Sequence, residues 1–213
     1  MLRLTTRMPK SILSWRMLGV ALAAALGIAG AARAEQPAPD SSAPYSVSAR
    51  LNFRLVYPPF LRFRVGTAGA TVDTLAFAVP AANVGDGSAI VPTGGDAGGG
   101  SALNVEVAGN NGQVTITATN SSGGQGIGTG VPSDGRINYN QIATTTSLPQ
   151  LPAPVLNNAG GTISQPVMNA ALVTQRAAVW TYSYLNQTIP SAGTYGGTNA
   201  ALGGQVMYTA TMP

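Results

Sequence analysis

This sequence predicts an all-β fold, one antiparallel β-sandwich of about eight to ten short strands. Three observations carry that prediction. Apolar and polar residues alternate with a period of two in short runs across 45–213. Turn signals rich in Gly, Pro and Asn separate the runs at a spacing of roughly 8–12 residues. No stretch after residue 34 repeats its apolar positions every three to four residues, so no amphipathic helix is expected.

The first 34 residues read as a secretory signal. Arg3, Arg7, Lys10 and Arg16 precede the apolar run Met17–Ala32. Ala32-Arg33-Ala34 then places small residues at the −3 and −1 positions of a cleavage site before Glu35. The apolar run is shorter than the roughly 20 residues that span a bilayer, so no stable membrane span is expected after cleavage. With no Arg-Arg pair, the general secretory route is indicated. Met1, Met8 and Met17 all stand as possible starts. Residues 35–44, EQPAPDSSAP, read as a flexible linker, because they hold too little apolar surface to offset ordering.

The sandwich domain is assigned to 45–213. Its first strand is Tyr45–Tyr57, where Val47, Ala49, Leu51, Phe53 and Leu55 alternate with polar residues. Pro58-Pro59 ends it, since proline cannot donate to a ladder. Phe60–Val65 resumes the alternation, with Leu61, Phe63 and Val65 on one face. Val72–Val79 places Leu75, Phe77 and Val79 together, and Pro80–Ser101 is a long loop. Leu103–Ala108 and Gln113–Thr119 flank Asn110-Asn111-Gly112 and read as a β-hairpin. Asn120–Pro132 is loop, Arg136–Ile142 a short strand, and Leu148–Val155 a proline-punctuated edge or crossover segment. Thr162–Met168 and Ala170–Thr174 supply one short strand or two. The last pair is the clearest: Ala177–Leu185, with Trp180, Tyr182 and Tyr184 on one face, and Gln205–Met212, with Val206, Tyr208, Ala210 and Met212.

Composition removes several function classes. The net charge of +4 belongs to the signal; after residue 34, six arginines face seven acids, a net of −1. A broad electrostatic footprint for nucleic acid is therefore not expected. Without cysteine there is no disulfide framework and no thiolate metal site. Without histidine, and with Lys10 the only lysine, neither a Ser–His triad nor a Ser–Lys dyad forms in the mature chain. The protein is read as a non-enzyme with no cofactor.

The remaining site candidates are few. Asp86, Asp96 and Asp134 sit in Gly-rich turns and read as turn residues; Asp73 opens a strand and Glu106 faces outward, both read as solvent-exposed. Asp86-Gly87-Ser88 with Asp96 offers oxygen ligands for calcium but no EF-hand spacing. Arg50, Arg54, Arg62 and Arg64 are either a patch for acidic glycans or lipid head groups, or solubilising residues on exposed strand faces. Trp180, Tyr182 and Tyr184 are either a sugar-stacking platform or core, and Trp180 is expected to be buried. Tyr195 is placed to bond its hydroxyl back to a turn.

Ile189-Pro190, Ala192-Gly193-Thr194-Tyr195-Gly196 and Gly204-Gln205-Val206-Met207-Tyr208-Thr209-Ala210 carry one resemblance. This region resembles the closing strands of exported bacterial fimbrial or pilin-like sandwich proteins. The resemblance implies an Ig-like or pilin-like sandwich and a structural or adhesive role at the cell surface. Its implied partners are like subunits or a periplasmic chaperone. It also implies that Ser46–Leu55 is a donor strand for a partner's open groove. Such pilins often carry a Cys pair, with a glycine and a penultimate aromatic in the closing region; this chain has no Cys, and Ala200 and Met212 stand at those positions. The alternative is a secreted carbohydrate-binding module with glycan partners.

Overall fold

The computed structural model describes residues 48–69 and 71–213. The segment read as a secretory signal, its expected cleavage site at Ala32, Ala34 and Glu35, and residues 35–44, read as a linker, lie outside the described residues. Two compact units divide the chain, Met1–Val56 and Tyr57–Pro213, and every strand among the described residues belongs to the second.

The fold is all-β, as the period of two requires. The strands are β1 Leu61–Val65, β2 Ala102–Gly109, β3 Thr115–Asn120, β4 Ile127–Gly128 and β5 Arg136–Ile137, then β6 Ile142–Thr146, β7 Leu156–Asn157, β8 Gly160–Gly161, β9 Thr174–Tyr184 and β10 Val206–Thr211. Among the described residues, helix is confined to four single 3₁₀ turns. Every strand pair is antiparallel. A four-stranded sheet runs β1-β2-β9-β6, β10 pairs with β3, and β4-β5 and β7-β8 form short ribbons.

The centre is β9, the longest strand, held between β2 and β6. Its alternation works as read: Trp180, Tyr182 and Tyr184 are buried while Thr181 is exposed. Leu103, Val105 and Val107 of β2 join Trp180 and Tyr182 in one core with Val114, Ile116 and Ala118 from the β3 segment. The Trp180 ring meets Tyr208 edge-on, with centroids 5.4 Å apart, and its indole N–H donates to the Leu151 carbonyl at 3.2 Å. That bond satisfies the one polar atom of a fully buried side chain.

Five strand expectations are corrected. Arg136–Ile142 is not one strand: it divides into β5, a 3₁₀ turn at Tyr139–Gln141 and the start of β6. Residues 48–60 form no strand, although they alternate as Tyr45–Tyr57 was expected to. Alternation marks a segment competent to pair; a strand also needs an edge to pair with. Val72–Val79 forms a single bridge, at Ala76, which exchanges two backbone bonds with Thr93. Thr162–Met168 and Ala170–Thr174 reduce to single bridges, Ser164 to Ile116 and Ala170 to Val173, and Thr174 instead begins β9. β2 and β3 both form but do not pair, so Asn110-Asn111-Gly112 is not a hairpin turn. A type I′ turn needs positive φ at both central residues. Leu172 and Asn186 alone have it among the described non-glycine residues, so the Asn111 that Asn-Gly would place there does not. The chain instead crosses from the four-stranded sheet to the β3–β10 pair.

Candidate functional site

Most sheet edges are covered. The outer side of β6 is bonded to the proline segment: Thr144 Oγ1 donates to the Pro154 carbonyl (2.9 Å), and Thr146 Oγ1 to the carbonyls of Leu148 (3.1 Å) and Leu151 (2.9 Å). The side of β3 away from β10 exchanges two backbone bonds with Ser164. Two edges have no such cover among the described residues, β1 and β10. They approach each other without pairing.

The registers show what these edges present. Ser121 N–H donates to the Gln205 carbonyl, in line with the β3–β10 register. Bonded and non-bonded pairs alternate along an antiparallel ladder. Hence Met207, Thr209 and Thr211 direct their backbone groups to β3, and Val206, Tyr208 and Ala210 direct theirs to the open side. On the other rim, Gly66 N–H donates to the Asn104 carbonyl in line with the β1–β2 register. By the same alternation Leu61, Phe63 and Val65 present backbone groups to the open side. Phe63, Val65, Val206, Tyr208, Ala210 and Met212 also pack their side chains against the core, yet each is only half-buried. A cleft of about 520 Å³ lies at β1, walled by Phe63, Arg64, Val65, Thr67, Thr71 and, from β2, Glu106; no residue of β10 lines it. Unpaired backbone donors thus border incompletely covered apolar side chains on both rims, a template for one more strand.

The groove has one closed end. Met212 Sδ and Leu61 Cδ1 meet over Gly109, where a Cβ would lie 2.8 Å from the sulfur. The turn beyond Gly109 ties both rims. Asn110 Oδ1 accepts from Phe60 N–H (2.8 Å) and its Nδ2 donates to the Pro58 carbonyl (2.9 Å). Asn111 Nδ2 donates to the Pro213 carbonyl (2.7 Å). The groove, and the use of these two asparagines, were missed in the sequence. Local alternation marks β1 and β10 as strands but cannot say that their edges adjoin.

In the segment before this unit, Leu51, Phe53 and Leu55 are 76, 81 and 70% exposed. These are the apolar positions read as the face of a donor strand.

The other candidates resolve into structural roles. Asp86 accepts from Ser88, from Asn83 and from Asn186, which hold its carboxyl below the usual carboxylate range, the Ser88 hydroxyl most of all. Asp96 accepts from Asn104, and Asp73 accepts from the backbone and hydroxyl of Thr67 rather than standing in solvent. Their oxygens serve N–H and O–H donors, which is turn chemistry. Among the described residues no group of three acids or other ligands converges to hold a metal. Arg64 pairs with Glu106 directly across the β1–β2 ladder at 2.8 Å, so Glu106 is a cross-strand partner and Arg64 is committed. Tyr195 donates to the Ser191 carbonyl at 3.0 Å and the Asp134 carbonyl at 3.1 Å, the corner role read for it. A second cleft, about 290 Å³, is lined by Asp134, Arg136, Asn138, Gln141 and Ile189, but its polar groups are engaged by Thr129, Gly126, Asn158 and Gln187.

Three tyrosines brace the rim. Tyr139 donates to the carbonyls of Gly203 and Gln205, fixing the start of β10. The Tyr182 and Tyr208 hydroxyls lie 3.0 Å apart. Burial pushes Tyr139 up to about 12, and pushes Tyr208 up to about 12 against the opposing effect of its bond to Tyr182. Burial raises Tyr182 well above the ordinary phenol value.

No protein-family model, curated protein or solved structure matches this chain. The functional reading therefore stands on the geometry of the groove and on residues 48–57.

Proposed function

We propose that the protein is a non-catalytic, exported structural or adhesive surface component, a fimbria-like subunit assembled by strand exchange. The β1-β2-β9-β6 sheet and the β3–β10 pair are read as two layers of a pilin-like, Ig-like sandwich that lacks one strand. One observation carries this reading: β1 and β10 approach each other with edges that are bare among the described residues and with half-covered apolar side chains. A strand laid on such an edge bonds to its backbone and presents every second side chain to the half-covered apolar residues beside it. Leu51, Phe53 and Leu55 have that spacing and that exposure. The signal segment supports export by the general secretory route to the periplasm or cell surface, where a periplasmic chaperone is a natural first occupant of the groove.

The carbohydrate-binding alternative loses its main support. Trp180 is 0% exposed and Tyr182 and Tyr184 are buried with it, so the aromatic stripe offers no stacking platform.

The test compares the mature chain from Glu35 with a chain starting at Tyr57. Light scattering and electron microscopy are expected to show polymers of the first and monomers of the second. A synthetic peptide of residues 46–57 is expected to bind the shorter chain. A mature chain that stays monomeric at high concentration, together with a peptide that does not bind, refutes the reading.

A further inference from the structure

Charge is unevenly placed after residue 34. Residues 41–72 hold Arg50, Arg54, Arg62 and Arg64 and no acid. The rest holds Arg136 and Arg176 against seven acids, a net of −5. Such asymmetry points to an anionic partner for the basic stretch. Arg64 already has its partner in Glu106. Arg50 and Arg54 belong to the unit that ends at Val56, in a stretch that forms no strand.

That stretch is also apolar and open to water. Leu51, Phe53, Leu55 and Val56 are 76, 81, 70 and 74% exposed, so four of the seven residues from Arg50 to Val56 show large apolar side chains to solvent. The combination separates two classes of anionic partner. A soluble acidic polymer would engage the guanidinium groups and leave the four apolar side chains in water. An anionic lipid surface engages both. Apolar side chains enter the boundary between headgroups and acyl chains, while arginine stems reach back to the phosphates. The backbone stays at headgroup depth, where water still serves its N–H and C=O groups.

We propose that residues 50–56 dock the unassembled chain on an anionic lipid surface. Leu51, Phe53, Leu55 and Val56 insert at the acyl boundary, and Arg50 and Arg54 meet the headgroup phosphates. This goes beyond the strand-exchange reading. The two states use the same apolar side chains and exclude one another, but lipid binding also needs the arginines, which lie outside the alternating apolar set.

The test uses the full mature chain from Glu35, taken as the monomer from size exclusion and kept dilute. Its probes are vesicles of phosphatidylglycerol with phosphatidylcholine, vesicles of phosphatidylcholine alone, and dextran sulfate as a soluble polyanion. Flotation reads the bound fraction, and trypsin reads cleavage after Arg54. Wild type is expected to partition onto the anionic vesicles about tenfold or more above the neutral ones, to be shielded at Arg54 there, and to come off as salt rises. Arg50→Gln with Arg54→Gln is expected to weaken the partition by about fivefold per arginine, with polymerisation in sedimentation velocity unchanged. Phe53→Ala with Leu55→Ala keeps the charge and is expected to weaken the partition by about tenfold or more, with Arg54 again open to trypsin. Equal binding to both kinds of vesicle, or none to either, overturns the proposal. So does an apolar variant that binds vesicles like wild type while dextran sulfate binds both alike, because the site is then one for acidic polymers. Polymerisation is read on the same preparations, so a failure of lipid docking leaves the strand-exchange reading to its own result.

Discussion

Phe53→Ala separates a strand donor from a decorated linker. Phe53 is 81% exposed, so its ring contributes almost nothing to the isolated chain. Seated between the half-buried side chains of β1 and β10, the same ring leaves water. Full burial of a phenylalanine is worth about 1.5–3 kcal/mol, most of which truncation to alanine removes. At about 1.4 kcal/mol per decade, the affinity of residues 46–57 for the groove should fall by a factor of roughly 10–100. The assay is titration of a wild-type and a Phe53→Ala peptide of residues 46–57 into the chain starting at Tyr57. Trp180 emission is a suitable readout, because its ring contacts Tyr208, which lines the rim. In parallel, the melting temperature of the monomeric mature chain should not change. Equal affinity of the two peptides refutes the seating of Phe53 in the groove. A melting temperature lowered by several degrees in the monomeric variant refutes its exposure there.

Three further outcomes are expected. Tyr139→Phe leaves the Gly203 and Gln205 carbonyls without their hydroxyl donor; urea denaturation should show a loss of about 1–3 kcal/mol, and unchanged stability would place no weight on this brace. Asn186→Ala removes side-chain bonds to Gly85, Asn83 and Asp86 at a buried residue with φ 52°, so unfolding free energy should drop by about 2–3 kcal/mol, and hydrogen exchange should rise in 83–88. Alkaline pH should unfold the protein. Tyr139 titrates near 12 folded against an ordinary phenol value of 10.0, so its contribution is complete below pH 10 and is lost as pH rises from 10 to 12. That contribution is at most about 3 kcal/mol, and tyrosinate absorbance at about 295 nm should rise with unfolding; titration of all tyrosines near 10 would contradict the burial.

Much of the fold is legible in the residues themselves. The alternation of Trp180, Tyr182 and Tyr184 fixes which face of β9 is inward, because a period of two leaves no other choice. The same holds for Val206, Tyr208 and Ala210, and for Leu103, Val105 and Val107. Absence of His and Cys, and of Lys after Lys10, bounds the chemistry without any structure. Pairing is different, because it is a relation between distant segments. Asn110-Asn111-Gly112 has hairpin composition, yet it joins strands in different sheets, and its side chains serve Pro58, Phe60 and Pro213 instead. The stretch 48–57 alternates as a strand does and yet forms none, since alternation shows competence and only a neighbouring edge supplies the bonds. The sequence by itself determined an all-β chain, its inward faces and its excluded chemistries, all of which follow from local composition and period. Only the tertiary structure decided that β1 and β10 approach each other as edges left unpaired among the described residues, because that depends on where the sheets set two strands about 140 residues apart in the chain.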